Sequence, residues 1–153
     1  MCKKIINWTM HNSLALQHLG LTIIRIGFGA ILTIFGYNKL FSGSANLTQI
    51  GSAMSLFGIT SGYLIWGYLA ALTELFGGFA YAIGLWTRIA SLPLIWLLIV
   101  AIQFHLHKGD SFTVWAFPAL CLCIAIGFLV AGSGIYSADY ILHSPTHKNN
   151  HDF

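Results

Sequence analysis

Residues 63–86 read "YLIWGYLAALTELFGGFAYAIGLW". The run is long enough and apolar enough to cross a bilayer, which takes about 20 mainly apolar residues. It carries a single charge, Glu74, which is also the only charged residue between Lys39 and Arg88. On a helical wheel the neighbours of Glu74 one turn away are Ala70, Ala71, Gly77 and Gly78, with Gly67 and Ala82 two turns away. The other sides carry Trp66, Tyr68, Leu69, Leu72, Leu75, Phe76, Phe79 and Ile83. Small residues mark the packed face of a membrane helix because they allow backbones to approach. The stretch therefore predicts a transmembrane helix with Glu74 turned into a bundle.

Three further runs have the same character: 19–41, 89–106 and 112–132. Together they predict an all-α membrane protein, a bundle of four transmembrane helices. None shows the period-two alternation of a membrane barrel strand. The composition agrees, with 57% hydrophobic and only 7% charged residues in 153, against roughly 25% charged in soluble domains. Between spans 1 and 2, residues 42–61 are rich in Gly, Ser and Thr with apolar residues at intervals. They predict a short amphipathic helix packed over the end of the bundle. The chain divides into an interfacial segment 1–18, a four-helix domain 19–140 and a polar tail 141–153. Lys3 and Lys4 resemble the start of a signal peptide, but a polar, His-containing stretch follows and no A-x-A site closes the first apolar run. The first span is therefore expected to be retained.

Four spans place both termini on one side. That side holds Lys3, Lys4, Arg88 and Lys148, the other Lys39 and Lys108, so the positive-inside rule places the termini in the cytoplasm of a bacterial inner membrane. The net charge of +3 is carried by scattered single residues, which excludes a nucleic-acid footprint. Membrane lipids are the obligatory partners.

Within the spans, Arg25 is the natural partner for Glu74. Its face includes Thr22, Gly29, Leu32, Gly36 and Lys39, again small or polar. An unpaired charge in mid-bilayer costs about 2.5–3.5 kcal/mol on insertion scales. An Arg25–Glu74 pair is thus expected to form the candidate polar site, as a clasp between spans or as a proton-relay or ligand-anchoring site. The alternative is a protonated Glu74 hydrogen-bonded inside the bundle. No residue is assigned a catalytic role, and whether the chain is an enzyme stays open.

The stretch "HLHKGD", residues 105–110, gathers His105, His107, Lys108 and Asp110 at one mouth. Two histidines two apart face one way only on extended backbone. Asp110 is placed to cap span 4, and the imidazoles and ammonium groups to meet a quinone head group. Lys39, His105, His107 and Asp110 are the candidate ligand-binding residues. No metal site is assigned: the spacing is unspecific and there is no CxxC. His143, His147 and His151 fall in the polar tail, where Pro145 disfavours helix. No histidine lies mid-span to hold a haem, and no nucleotide-binding fingerprint is present. Cys121 and Cys123, two apart, point to nearly opposite sides of a helix. Trp66, Trp86 and Trp115, near span ends, suit an aromatic belt.

Arg25, "GYNKLF" at 36–41, "ELFGGFAYAIGLWTRIAS" at 74–91, "HLHKGDSF" at 105–112 and "GSGIYSADY" at 132–140 follow one another in an order that resembles the DoxX family of small four-helix bacterial membrane proteins. The resemblance covers about 20–140. Arg25, Lys39, Glu74, Arg88 and Asp110 match the charged positions of the family pattern. It implies an inner-membrane bundle. Some members of the family are subunits of quinone-linked oxidoreductases, including thiosulfate oxidation systems, and others are associated with membrane complexes handling thiol or oxidative stress. The expectation is an accessory or anchor subunit of a redox system. It has no cofactor motif of its own, quinone is its candidate ligand, and an oxidoreductase subunit is its candidate partner. The alternatives are a small-solute carrier or channel and a non-catalytic scaffold for a peripheral enzyme. Four short helices leave little room for an aqueous pathway unless the chain forms a homo-oligomer.

Overall fold

The computed structural model describes residues 14–143. These form six α-helices and one 3-10 turn, with no strand among the described residues. The helices are α1 Leu14–Leu40, α2 Ser44–Gly51, α3 Tyr63–Ile83, α4 Thr87–His107, α5 Phe112–Ala131 and α6 Ala138–His143, and the 3-10 turn is Ser52–Phe57. α1, α3, α4 and α5 are each long and apolar enough to cross a membrane. At about 1.5 Å per residue, 20–21 residues give α3, α4 and α5 about 30 Å each. α1 is longer than the span expected from sequence. It is already helical at Leu14, so part of the supposed interfacial segment continues the spanning helix. The rest of that segment and the tail beyond His143 lie outside the described residues, His147 and His151 included.

α1 packs along α3, α5 along α4, and α2 across the first turns of α3. The α1–α3 contact is backbone on backbone. A methyl group built on Gly29 would stand 2.6 Å from the Gly78 carbonyl oxygen, and one on Gly78 would stand 2.7 Å from the Gly29 carbonyl oxygen. Two turns further, Gly36 faces Ala71 and Leu75 in the same way. The same closeness holds α2 down, with Gly51 against Tyr63 and Gly67 against Leu47. The buried face of α3 is Gly67, Ala70, Ala71, Glu74, Gly78 and Tyr81, the stripe of small residues around Glu74. The two helix pairs meet in a core of Phe28, Leu32, Tyr81, Leu94, Leu98, Cys121, Ala125 and Phe128. Cys121 is buried and Cys123 exposed. Large apolar side chains such as Ile23, Ile34, Phe76, Phe79, Ile89, Leu92, Leu120 and Val130 point outward, as suits a lipid solvent whose tails are as apolar as they are.

The connection from α3 to α4 is tight. Gly84, at φ +72°, ends α3. The Leu85 amide bonds the Ala80 carbonyl and the Gly84 amide the Tyr81 carbonyl, a left-handed cap that reuses otherwise orphaned carbonyls. Trp86 follows at φ +49°, an unfavourable region for a bulky residue. Asp139 holds it there. Its carboxylate accepts from the Trp86 amide at 2.7 Å and the Thr87 amide at 3.3 Å, and its own amide donates to the Gly84 carbonyl at 2.9 Å. A negative charge on the first amides of α4 also suits the helix dipole.

Candidate functional site

The register of α1 against α3 decides which charges meet. With Gly29 opposite Gly78 and Gly36 opposite Ala71 and Leu75, Arg25 lies level with the C-terminal end of α3, and Glu74 level with the last turns of α1. Three helical turns, about 16 Å, separate the two levels. The expected Arg25–Glu74 pair is therefore not formed. The guanidinium of Arg25, 2% exposed, donates to the Tyr81 carbonyl at 3.2 Å and the Tyr136 carbonyl at 2.6 Å. It fills the space over Gly84, where a side chain would collide with it, and it sits in the field of the Asp139 carboxylate. Arg25 thus ties α1 to the end of α3 and to the segment before α6. Its answer is the Tyr81 carbonyl at the C-terminal end of α3, where the helix dipole favours a cation, together with the Tyr136 carbonyl before α6.

Glu74 is answered by Lys39. The ammonium donates to Glu74 Oε1 at 2.5 Å, with the lysine side chain 30% exposed and the glutamate 8%. The second carboxylate oxygen, Oε2, is buried and has no hydrogen-bond partner among the described residues. This pair stands in the wall of a half-open cavity of about 500 Å³ bordered by α1, α2, the 3-10 turn, α3 and α4, a size typical of small-molecule sites. α2 and the 3-10 turn contribute Asn46, Gln49, Ile50 and Met54, α3 contributes Trp66 and Thr73, and α4 contributes Pro93, Trp96, Leu97, Val100, Phe104 and His105. Pro93 removes one helical amide from this wall. Most of the lining is apolar or aromatic, with the polar groups confined to the Lys39–Glu74 pair, α2 and the end of α4.

At that end His105 Nδ1 lies 2.8 Å from Asp110 Oδ2. Gly109, at φ +72°, turns the chain so that the Asp110 amide reaches back to the His105 carbonyl at 3.1 Å. Lys108 lies over the Phe104 ring at 5.1 Å and also lines the cavity. Asp110 is thus not the expected cap of α5, whose N-cap is Ser111, with no side-chain capping bond to the helix amides. His107 is exposed and absent from the lining. The segment is helical through His107, and helical neighbours two apart diverge.

Of the candidate residues, the fold brings together Lys39, Glu74 and His105, with Asp110 held on His105. Arg25 and His107 lie elsewhere. Asn46, Gln49, Trp66, Thr73 and Trp96 join them without having been named as candidate site residues from sequence. The α2 pair had a signal, since Asn46 and Gln49 stand three apart and share a helix face. Trp66, expected near a span end, stands in the first turn of α3 and is also a wall of the cavity. A second, more open depression of about 600 Å³ lies at the opposite end of the bundle beside Trp86, Arg88, Gly132 and Tyr140. There Arg88 donates to the Val130 carbonyl at 3.1 Å.

Comparison with known proteins gives one match, to the DoxX family model over residues 20–108. The matched stretch includes Arg25, Lys39, Glu74 and His105 and stops short of Asp110. No curated protein and no solved structure matches the chain.

Proposed function

The chain belongs to the DoxX family, and from that premise we propose that this integral membrane protein is an accessory or anchor subunit of a quinone-linked redox system, with the Lys39–Glu74 cavity receiving the quinone head group. The observation that carries the reading is the cavity itself. Its volume of about 500 Å³ lies between helices that cross a bilayer, and its walls are Trp66, Trp96, Met54 and Phe104. A flat aromatic head stacks well against such walls. Its carbonyl oxygens need donors, and the Lys39 ammonium and the His105 imidazole stand at two places in the lining. Electrons would enter or leave through a partner subunit.

The test is direct. Protein isolated in mild detergent and extracted with organic solvent should yield a bound isoprenoid quinone. Ala101→Phe, which fills the cavity from α4, should remove it while the protein remains folded. An empty wild-type protein that copurifies stoichiometrically with a soluble enzyme would favour a scaffold. Solute flux in proteoliposomes without a partner would favour a carrier.

We place the termini in the cytoplasm, with the cavity toward the outer leaflet of the inner membrane. The basis is the distribution of Lys3, Lys4, Arg88 and Lys148 against Lys39 and Lys108. A C-terminal reporter that works only in the cytoplasm is the expected result; periplasmic activity reverses the assignment and turns the cavity inward.

A further inference from the structure

Arg88 stands at the opposite end of the bundle from the Lys39–Glu74 pair, in the lining of the open depression beside Trp86 and Tyr140. Its side chain lies close over Gly132. A β-carbon on that residue would stand 3.3 Å from Arg88 Nε and 3.5 Å from Nη2. One Nη2 hydrogen goes to the Val130 carbonyl at 3.1 Å, an orphan acceptor of the last turn of α5. A helix cap needs no more than that. Yet a guanidinium has five donors, and this is the one side-chain bond Arg88 makes among the described residues. The residue is also exposed. The cation is thus fixed by a single bond, with most of its donors unspent at the surface of the depression.

Three spanning helices end around it, α3 at Ile83, α4 at Thr87 and α5 at Ala131. That is the level at which hydrocarbon gives way to lipid head groups, and the exposed aromatic residues Trp86, Tyr136 and Tyr140 suit it. From there Ile89 in the lining and Leu92 one turn further along α4, both exposed, lead toward the bilayer interior. The neighbouring polar side chains can donate. Trp86 has its indole N–H and Tyr140 its hydroxyl, and the Ser133 hydroxyl accepts from Ser137 at 3.0 Å, which leaves its own hydrogen to give. The acid of the lining, Asp139, has one oxygen on the Trp86 amide and the other on the Thr87 amide, with the buried Arg25 in its field. An exposed cation, donors around it and an apolar track into the membrane match an anionic amphiphile. We propose that this depression seats an anionic phospholipid, with the Arg88 fork on the phosphate oxygens and an acyl chain along Ile89 and Leu92. The site is independent of the quinone reading, since none of these residues lines the Lys39–Glu74 cavity.

The experiment uses the full chain in mild detergent, equilibrated with equal amounts of dioleoyl phosphatidylglycerol and dioleoyl phosphatidylcholine. Native mass spectrometry counts the lipid retained. The two lipids share the phosphodiester and the chains and differ in the net charge of the head. The wild type should retain phosphatidylglycerol in preference by about fivefold or more, the scale of one arginine at an anionic surface. Arg88→Gln should remove the preference. Arg88→Lys should fall between, because it keeps the charge and loses the fork. Equal retention of the two lipids by the wild type overturns the proposal. So does a preference that survives Arg88→Gln, or one that is abolished instead by Lys108→Gln at the far end of the bundle. Displacement of the lipid by millimolar inorganic phosphate overturns the lipid as occupant and leaves a site for a soluble anion. If Arg88→Gln fails to fold, the wild-type ratio and the Lys108→Gln control decide.

Discussion

Lys39→Met is expected to destabilise the bundle by about 3 kcal/mol, and Glu74→Met by about 1 kcal/mol, although the two changes break the same ion pair. Removing one partner of a buried pair costs about 3–5 kcal/mol because the other charge is stranded. The low end applies here, since the lysine side chain is 30% exposed. The same exposure creates the asymmetry. Without Lys39, Glu74, 8% exposed, is held at mid-helix by the small-residue face of α3 against α1, with no helix end within its reach. Without Glu74, Lys39 stands in the last turn of α1 and can extend its ammonium past the helix end. The double change Lys39→Met with Glu74→Met should recover most of the loss, because apolar replacement of a buried pair is often neutral or better. Reversible unfolding in mixed micelles measures all three. Strictly additive losses in the double-mutant cycle, or a costlier Glu74→Met, would show that the pair does not hold the helices as described. Arg25 belongs outside this cycle. Combining Arg25→Met with Glu74→Met should be additive, because the two residues serve different ends of the bundle.

The second large effect is expected at Gly78. A β-carbon there falls 2.5 Å from the Thr33 amide nitrogen and 2.7 Å from the Gly29 carbonyl oxygen. Both are backbone atoms of α1, so the clash is relieved only by moving the helix. Gly78→Val should cost about 3 kcal/mol or more, at or beyond the upper end of the usual overpacking range, and should leave little monodisperse protein in detergent. The adjacent Gly77 is the control. The nearest atoms to a β-carbon there belong to the Leu94 side chain, at 3.0 Å, which can rotate aside, so Gly77→Ala should stay within about 1 kcal/mol of wild type. Gly27, with nothing within 4 Å, should accept alanine with a gain, because glycine inside a helix is about 1 kcal/mol worse than alanine. Thermal melts followed by circular dichroism separate the three variants. Equal losses at Gly77 and Gly78 would disprove a backbone-to-backbone α1–α3 contact.

The architecture was readable in the chain because lipid imposes few alternatives. An apolar run of bilayer length has to be helical, and four such runs produced four spanning helices. Rotation about each helix axis was readable too. The small residues around Glu74 lie on the buried face of α3, Arg25 is buried on α1, and Cys121 and Cys123 part as their spacing requires. The amphipathic stretch between the first two spans became α2 and the 3-10 turn.

What the sequence by itself determined, then, was which stretches cross the membrane and which way their faces turn, because both follow from local periodicity. The axial register between antiparallel helices follows from no such period. It was decided by where Gly29, Gly36 and Gly78 let the α1 and α3 backbones touch. That register handed Glu74 to Lys39 and left Arg25 to the Tyr81 and Tyr136 carbonyls, acceptors that no side-chain pattern announces. The helical backbone through His107 likewise parted it from His105, and the turn at Gly109 drew Asp110 back onto His105. The cavity is the most tertiary feature of all. Its walls come from five separate segments, and only the seating of α2 on α3 through Gly51 and Gly67 brings Asn46 and Gln49 over a site whose charges lie on α1 and α3.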